Sequence, residues 1–381
     1  MDQSPLDLRF RVALHRVHRL GSMRFGLLDR FFPDMAEVWR ASSSDLAAAG
    51  LDARTVTEVL RAQEEIDPDA EMERLEAAGV TALASNDARY PSRLGEIDDA
   101  PPILYVRGEW RPEDELSVAV VGTRRATAYG RQAAAELSRG LAAAGVTVVS
   151  GLARGIDTIA HRTALDSNGR TAAALANGLD TVYPPENRCL AEEIAERGAL
   201  MTDYPLGTKP RADFFPRRNR ILSGVSLGTL VVEGDFKSGA MITAKFATEQ
   251  NRELFAVPGS IFSPQSRGPL GLIKDGATPV ASANDILEAL NLTMVGAQMD
   301  FGRAAPPDSP DEQALMRALT REPQHVDIVA RQSGLAPSVA SGTLALLELK
   351  GLVRDVGGMQ FVRVREEAAD FSVSATDGTS R

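Results

Sequence analysis

A strand-to-helix turn that carries two arginines is the most suggestive chemical feature of the sequence. Leu116–Val121 is a short valine-rich run that predicts a buried parallel strand, and a helical pattern follows. The turn between them, Gly122–Thr127, contains Thr123, Arg124 and Arg125. Because the unpaired N–H groups and the dipole at a helix start attract anions, the turn predicts a phosphate site. An ordinary turn with solvated arginines is the alternative on this stretch alone.

The turn is not a nucleotide-binding fingerprint. Arg124 stands where the GxGxxG pattern requires its second glycine, and no Gly-Lys-Ser/Thr sequence follows Gly122. The phosphate site that it predicts therefore has no assigned nucleotide.

A second basic stretch, Lys209–Arg220, surrounds a phenylalanine pair with arginines. Its candidate contact residues are Lys209, Arg211, Phe214, Phe215, Arg217, Arg218, Asn219 and Arg220. Guanidinium groups hold phosphates and aromatic rings stack on bases regardless of sequence, as a single-stranded nucleic-acid site requires. The alternative is a pair of rings that anchors the core beneath a solvated basic face.

A glycine-rich turn, Ser150–Asp157, follows the next predicted strand. Gly151 allows close approach of a ligand to the backbone, and Arg154 supplies positive charge. We expect Asp157 to cap the following helix, and His161, one helical turn further on, to form a local hydrogen bond with it rather than a catalytic dyad.

An acidic turn, Glu233–Ala240, offers two interpretations. Glu233 and Asp235 could hold a metal or act as acid and base. No other carboxylate turn supports them, and Lys237 at the helix start indicates another anion contact, with Lys245 two turns further along.

Alternation of strands and helices predicts how these turns are positioned. The predicted strands are Leu116–Val121, Val146–Ser150, Thr171–Leu175, Ala199–Thr202, Gly228–Val232 and Glu253–Val257, preceded by an edge strand at Ile103–Val106. This pattern predicts an α/β fold, an extended Rossmann-like doubly wound sheet that is mainly parallel. Ligands of such sheets bind at the carboxyl ends of the strands, where the turns lie.

The two ends of the chain have different patterns. Leu6–Gly79 is predicted to be all helix: a bundle of about five helices of the SAM or helix-hairpin-helix kind, then a further helix at Asp67–Gly79. Over residues 1–84 it holds 15 acidic and 10 basic residues, which favours protein contact or packing over DNA binding. Near the other end, three helical runs and a short hairpin predict a winged-helix-like domain, whose helix Ser338–Lys350 has few base-reading groups.

The predicted domain organisation has five parts. They are a helical domain at 1–84, the extended Rossmann domain at 85–292, a linker at 293–310, the winged-helix-like domain at 311–366 and a disordered tail at 367–381.

Composition limits the function classes. The net charge of −10 argues against a bulk nucleic-acid binder, but the segment Leu116–Asn284 has a balance of +4 against −14 elsewhere. The single cysteine, Cys189, fits a reducing compartment, and four scattered histidines make a soft-metal site improbable. No signal peptide and no membrane helix is expected, so the predicted location is the cytoplasm.

The turns taken together resemble the DNA processing protein A (DprA/Smf) family. The matching stretches are Gly122–Arg124 with Tyr129-Gly130, Ser150–Asp157, Phe215–Ile221, Ser238–Ala244 and Phe255–Gly259. The resemblance covers about 85–277. Ala240 stands where the family has serine, and Leu270 stands where relatives often carry asparagine.

The resemblance implies a protein without enzymatic activity or cofactor that binds single-stranded DNA. Proteins of this family form homodimers and load RecA recombinase onto incoming single strands during natural transformation. By position, Gly122, Thr123, Arg124, Arg218, Asn219 and Arg220 would line the phosphate pocket, and Phe214 or Phe215 would stack on a base. The dimer and RecA surfaces would include Leu272–Ala277.

The residues alone are compatible with two other functions. A nucleotide-processing Rossmann enzyme, such as a phosphoribohydrolase, would use the acidic turn after Val232, although its GGxGTxxE stretch is absent. A protein-only adaptor would act through its end domains and bind DNA no better than a generic acidic protein.

Overall fold

The computed structural model describes residues 5–292, 309–320, 324–349, 352–355 and 359–363. The chain forms two compact units, Met1–Leu292 and Thr293–Arg381. The predicted linker up to residue 308 and the predicted tail at 367–381 lie outside the described residues. In the described part, no helix combines the length and apolar character that crossing a membrane requires.

Residues 5–79 fold into six helices, which confirms the predicted helical segment. They are α1 (Pro5–His15), α2 (Ser22–Phe31), α3 (Met35–Arg40), α4 (Ser43–Ala48), α5 (Ala53–Glu65) and α6 (Pro68–Ala77). Asp34, Ser42, Asp52 and Asp67 each accept hydrogen bonds from the first-turn backbone of the helix that follows. Such caps stabilise a helix by about 1 kcal/mol each.

The strands within residues 80–279 form one nine-stranded sheet. The strands are β1 (Val80–Ala84), β2 (Ile103–Gly108), β3 (Ser117–Val121), β4 (Thr147–Ser150), β5 (Thr171–Ala174), β6 (Ala199–Thr202), β7 (Gly228–Val231), β8 (Glu253–Ala256) and β9 (Thr278–Pro279). Their order is β1-β2-β6-β5-β4-β3-β7-β8-β9. Only β2 pairs antiparallel, with β1 and β6. The predicted α/β fold, a doubly wound and mainly parallel sheet, is confirmed.

Helices cover both faces of the sheet. They are α7 (Ser92–Gly95), α8 (Ala128–Ala143), α9 (Ile156–Asp166), α10 (Arg188–Arg197), α11 (Phe214–Gly224), α12 (Gly239–Glu249), α13 (Arg267–Lys274) and α14 (Ala283–Ala289). Strand β3 lies between the two layers, since Val118 and Val120 join one apolar cluster while Ala119 and Val121 join the other. This burial of both faces explains the unbroken apolar run in the sequence.

The antiparallel end of the sheet differs from the sequence prediction. The predicted edge strand Ile103–Val106 is internal, because β2 pairs with β1 on one side and with β6 on the other. Strand β1 itself was not predicted, since its five residues follow α6 closely and continue an apolar run of helical appearance. The predicted boundary at residue 84 assigns β1 to the helical domain, although β1 pairs with β2 of the sheet. The domain boundary itself stays a prediction.

The second unit has the predicted winged-helix pattern. Its described helices are Pro310–Ala318, Val326–Ser333 and Pro337–Leu349, and its described strands are Gln324–His325, Val353–Asp355 and Gln360–Arg363. The last two strands form the predicted hairpin, and the first adds a third strand beside Gln360–Arg363. Leu315, Val329 and Leu344 are fully buried in a core of its own.

Candidate nucleic-acid interface

A cavity of about 630 Å³ opens beyond the carboxyl ends of β3 and β4. It lies between the turn that follows β3 and the first turns of α11 and α12. The predicted contact residues that line it are Gly122, Thr123, Arg124, Arg125, Arg211, Phe215, Arg218 and Asn219. The fold thus brings two basic stretches together that lie about 90 residues apart in the chain.

Glu233, at the end of β7, holds the arginine-bearing turn in place. Its carboxylate accepts hydrogen bonds from the Thr127 N–H (3.0 Å) and the Thr127 hydroxyl (2.5 Å). Its backbone carbonyl accepts a third from the Thr123 N–H (2.7 Å). With 2% of its surface exposed, Glu233 is committed to the turn, which argues against the alternative of a metal ligand or acid–base group.

The acidic turn offers no metal site either. Asp235 accepts a hydrogen bond from the Phe236 N–H (2.9 Å). Among the residues that the structure describes, no group of three or more histidine, cysteine, aspartate or glutamate side chains could hold a metal ion.

The glycine-rich turn after β4 packs against the turn after β3. A Cβ atom on Gly122 would lie 2.5 Å from the Ile156 side chain, and one on Gly155 would collide with the Thr123 carbonyl. Gly155 also has a φ of +79°, which other residues rarely adopt. The glycines therefore allow the two turns to meet at one edge of the sheet, as the sequence predicts.

Asp157 stabilises the glycine-rich turn from below the cavity. Its buried carboxylate accepts hydrogen bonds from the N–H groups of Gly151 (3.1 Å) and Ala153 (3.3 Å). Burial raises the pKa of Asp157 to about 6, against the lowering effect of the Arg218 charge. Asp157 therefore does not cap α9 as the sequence suggested. It lies inside the first turn of that helix, whose N-cap residue is Gly155, and its side chain bonds back to the preceding turn.

His161 does not pair with Asp157 as the sequence suggested. Its Nδ1 atom lies 2.7 Å from the Thr171 hydroxyl of β5. Burial, together with the charge of Arg218, lowers the pKa of His161 to about 3, so the imidazole is neutral at physiological pH. The pair therefore forms no catalytic dyad.

Arg218 places a fixed positive charge at the floor of the cavity. It is 4% exposed and donates hydrogen bonds to the carbonyls of Gly151 (2.8 Å) and Ala174. Burial lowers its pKa to about 10, which leaves it charged at neutral pH. A charge held in a low-dielectric floor attracts an anion more strongly than a solvated one does. Asn219 beside it donates to the Gly239 carbonyl (3.2 Å).

An aromatic rim borders the cavity. The Arg124 guanidinium lies 5.4 Å from the centre of the Phe215 ring, and the Tyr183 ring lies 5.6 Å from it. Gly151 and Arg154 line a small recess on the same rim, where Arg154 forms an ion pair with Glu186. Tyr183 was not predicted as a site residue, because its loop was identified only by its prolines.

The two neighbouring phenylalanines have different environments. Phe214 is buried, and its ring stacks on Tyr204 at 4.4 Å. Phe215 is half-buried and lines the cavity. Of the two predicted stacking residues, Phe215 alone offers a ring surface to the cavity.

Several predicted contacts lie elsewhere. Arg220 is withdrawn into ion pairs with Asp203 (2.6 Å) and Asp99 (3.3 Å). Arg217, Lys209, Lys237 and Lys245 are exposed outside the cavity, and Lys245 is 3.5 Å from Glu249.

The site has the chemistry of an interface for an anionic, ring-bearing chain. The Arg124, Arg125 and Arg218 guanidinium groups suit phosphates, because they are permanently charged planar donors. The Phe215 ring beside them suits a nucleobase, because every base has a face on which it can stack.

Comparison with known proteins gives concordant matches. The sequence profile of the DNA recombination-mediator protein A family matches residues 81–291, and that of the DprA winged helix domain matches residues 300–359. Protein Smf of Synechocystis is 32% identical over 388 residues, covering 92% of this chain and 98% of that protein.

Two solved structures are similar as well. DNA processing protein A of Streptococcus pneumoniae is 33% identical with a TM-score of 0.63, over 72% of this chain and 95% of that chain. DNA processing protein A of Helicobacter pylori is 30% identical with a TM-score of 0.51, over 56% of this chain and 96% of that chain.

Proposed function

Because this chain belongs to the DNA recombination-mediator protein A (DprA/Smf) family, we propose that it is a single-stranded DNA-binding protein without enzymatic activity. The observation that carries the proposal is the cavity in which Arg124, Arg218 and Phe215 meet. The solved structure of the Helicobacter pylori relative concerns that protein's single-stranded DNA binding mode, which supports the proposal.

The proposed mechanism separates phosphate binding from base stacking. Arg124, Arg125 and Arg218 bind successive phosphates, while Phe215 stacks on one base. These contacts do not depend on base identity, so binding is sequence-tolerant. Three neutralised phosphates would give a slope of about −2 in a plot of log affinity against log salt concentration.

The proposal also includes two protein partners, a second copy of this chain and RecA recombinase. We propose that the protein forms a homodimer in the cytoplasm and loads RecA recombinase onto the DNA during natural transformation. The description of the family as a recombination mediator supports this role. Two linked sites would raise the apparent affinity for a long strand without new contacts.

Apolar surface near α13 supports the dimer. Ile261 and Phe262 are 76% and 89% exposed in the loop before α13, and the exposed Phe236 ring lies against Gly271. Three large apolar side chains that are exposed in this region favour a protein interface. The predicted surface at Leu272–Ala277 adjoins them. The mass in solution, measured by light scattering, would test the dimer.

The test of DNA binding is fluorescence anisotropy of a labelled oligo-dT over a salt series. Arg124→Ala should weaken binding and make the salt slope less steep by about 0.7. Arg139→Ala is the matched control, because Arg139 is an exposed arginine of α8 that lines no part of the cavity. Duplex of equal length should bind poorly.

Two outcomes would contradict the proposal. Tight binding that Arg124→Ala leaves unchanged would move the site to an end domain. Absence of binding, together with turnover of a nucleoside monophosphate, would favour the phosphoribohydrolase alternative instead.

A further inference from the structure

A second cleft, of about 290 Å³, lies between the helical bundle and the sheet. The α1–α2 segment and α6 of the bundle form one side, with Arg16, His18 and Arg74. The loop after β6 and the start of α11 form the other side, with Phe214 and Arg217. The cavity beyond β3 and β4 is lined by no bundle residue, so this cleft is a separate feature.

Helix α11 is the wall between the cavity and the cleft. Phe215, Arg218, Asn219 and Leu222 face the cavity, at the spacing of one helical stripe. Phe214 and Arg217, three residues apart, face the cleft instead. A chain that leaves the cavity around the N-terminal end of α11 therefore enters the cleft.

Arg211 connects the two sides. It lines the cavity, and its guanidinium lies 4.8 Å from the centre of the Phe214 ring, which lines the cleft. Lys209, two residues earlier, is exposed. Arg211 also forms an exposed ion pair with Asp213 at 3.0 Å. With Lys209, it places positive charge between the cavity and the cleft.

The cleft has an excess of positive charge. Arg16 and Arg74 share one acidic partner, Glu71, at 2.8 and 2.7 Å. Arg217 is exposed and forms no ion pair with any described residue. The acid that lines the cleft, Asp203, is neutralised by Arg220 at 2.6 Å.

The Phe214 ring of the cleft is already covered. Tyr204 stacks on one side of the Phe214 ring, and Arg211 lies over it at 4.8 Å. Phe214, which is 4% exposed, therefore offers a base little open ring surface. A phosphate, in contrast, finds at Arg217 a cationic charge without an ion-pair partner among the described residues. The ligand chemistry of the cleft is therefore the sugar-phosphate backbone.

We infer that the cleft is a second phosphate subsite for the same DNA strand, to which the helical bundle contributes. The inference rests on the proposed function. A strand held in the cavity passes over Arg211 and places its next phosphates against Arg217 and the bundle residues Arg16 and Arg74. The bundle thus acts in DNA binding, although its acidic composition predicts a role in protein contact or packing.

The experiment compares oligo-dT of about 5 and about 15 nucleotides, which bracket usual single-strand site sizes. The short probe is long enough for the cavity only. Arg217→Glu and His18→Glu should each weaken binding of the long probe about tenfold or more, with a salt slope less steep by about 0.7 for Arg217→Glu. Both should leave binding of the short probe within about twofold, a change of less than about 0.5 kcal/mol.

Arg54→Glu is the matched control, because Arg54 is an exposed arginine of the same bundle that lines neither the cavity nor the cleft. Tryptophan fluorescence would establish that each variant is folded. His18 and Arg217 are both exposed, so neither substitution removes a core contact.

The outcomes separate this inference from the proposed function. If Arg124→Ala weakens both probes but Arg217→Glu and His18→Glu leave the long probe unchanged, the inference is wrong and the proposed function stands. If Arg217→Glu weakens both probes equally, Arg217 serves the cavity and the inference is again wrong. If the unsubstituted protein binds neither probe, both proposals fail.

Discussion

Loss of the Glu233 side chain should loosen the arginine-bearing turn and destabilise the first unit. The buried carboxylate accepts two hydrogen bonds from Thr127, at 3.0 and 2.5 Å. Hydrogen bonds to a charged group contribute about 1.5–3 kcal/mol each. Glu233→Ala should therefore lower the free energy of unfolding by about 3–6 kcal/mol. It should also weaken oligo-dT binding, because Arg124 and Arg125 precede the released Thr127 in the same turn, although the Thr123 N–H keeps its bond to the backbone carbonyl of residue 233.

Gly130 offers an independent test of the same contact. A Cβ atom at Gly130 would collide with the Glu233 carboxylate, so Gly130→Ala should destabilise the unsubstituted protein. In the Glu233→Ala background that space is empty. There, Gly130→Ala should be neutral or stabilising by up to about 1 kcal/mol, because Gly130 lies in α8 and alanine favours helix.

The assay for this cycle is urea unfolding followed by tryptophan fluorescence. Both tryptophans, Trp39 and Trp110, lie in the first unit, so the signal reports on that unit. Strictly additive effects of Glu233→Ala and Gly130→Ala would refute the reasoning. So would a Glu233→Ala variant within about 0.5 kcal/mol of the unsubstituted protein, which is the range of ordinary surface substitutions.

Two further predictions concern the cavity. Phe215→Ala should weaken oligo-dT binding by the value of one stacked base, about 1–3 kcal/mol. The control Phe31→Ala, at an exposed ring of the bundle, should leave binding unchanged. Equal effects of the two substitutions on the affinity measured by anisotropy would contradict stacking. Asp157 has a folded pKa of about 6 against 3.8 for the free side chain, so the folded state binds the extra proton. The stabilisation that comes from this raised pKa is complete below about pH 4 and is lost as the pH rises to about 6. The free energy of unfolding falls by about 3 kcal/mol in total over that range. Urea unfolding should therefore show the unsubstituted protein losing stability relative to Asp157→Asn over that window, and a constant difference would contradict it.

The sequence was informative where local patterns determine structure. Glycine, proline or charge lies at or near the ends of each short apolar run, so the parallel strands β3 to β8 could be placed to within a residue or two, whereas the two-residue strand β9 could not. The carboxyl ends of parallel strands share one edge of a sheet, so the turns at Gly122 and Gly151 could be expected together.

The sequence was less informative about which side chains of a helix face the cavity, because that depends on the residue at which the helix begins. The residues of the basic stretch are compatible with a helix that begins at Arg217 or Asn219, whereas α11 begins at Phe214. With the earlier start, helical spacing directs Phe215 and Arg218 to the cavity and Phe214 away from it. Arg220 could not be separated from Arg218 by composition, because its ion pair with Asp203 joins segments 17 residues apart.

Strand β1 has a consequence for shortened forms of the protein. Its ladder with β2 runs from Val80 opposite Arg107 to Ala84 opposite Ile103, so the chain of the bundle continues into the sheet. A chain cut at residue 85 would leave the backbone N–H and C=O groups along one side of β2 without partners. Such an open edge is a template for pairing between molecules, and the truncated protein should self-associate through it. A cut before Val80 would keep the edge that the native sheet presents, so the practical boundary for a soluble fragment precedes β1.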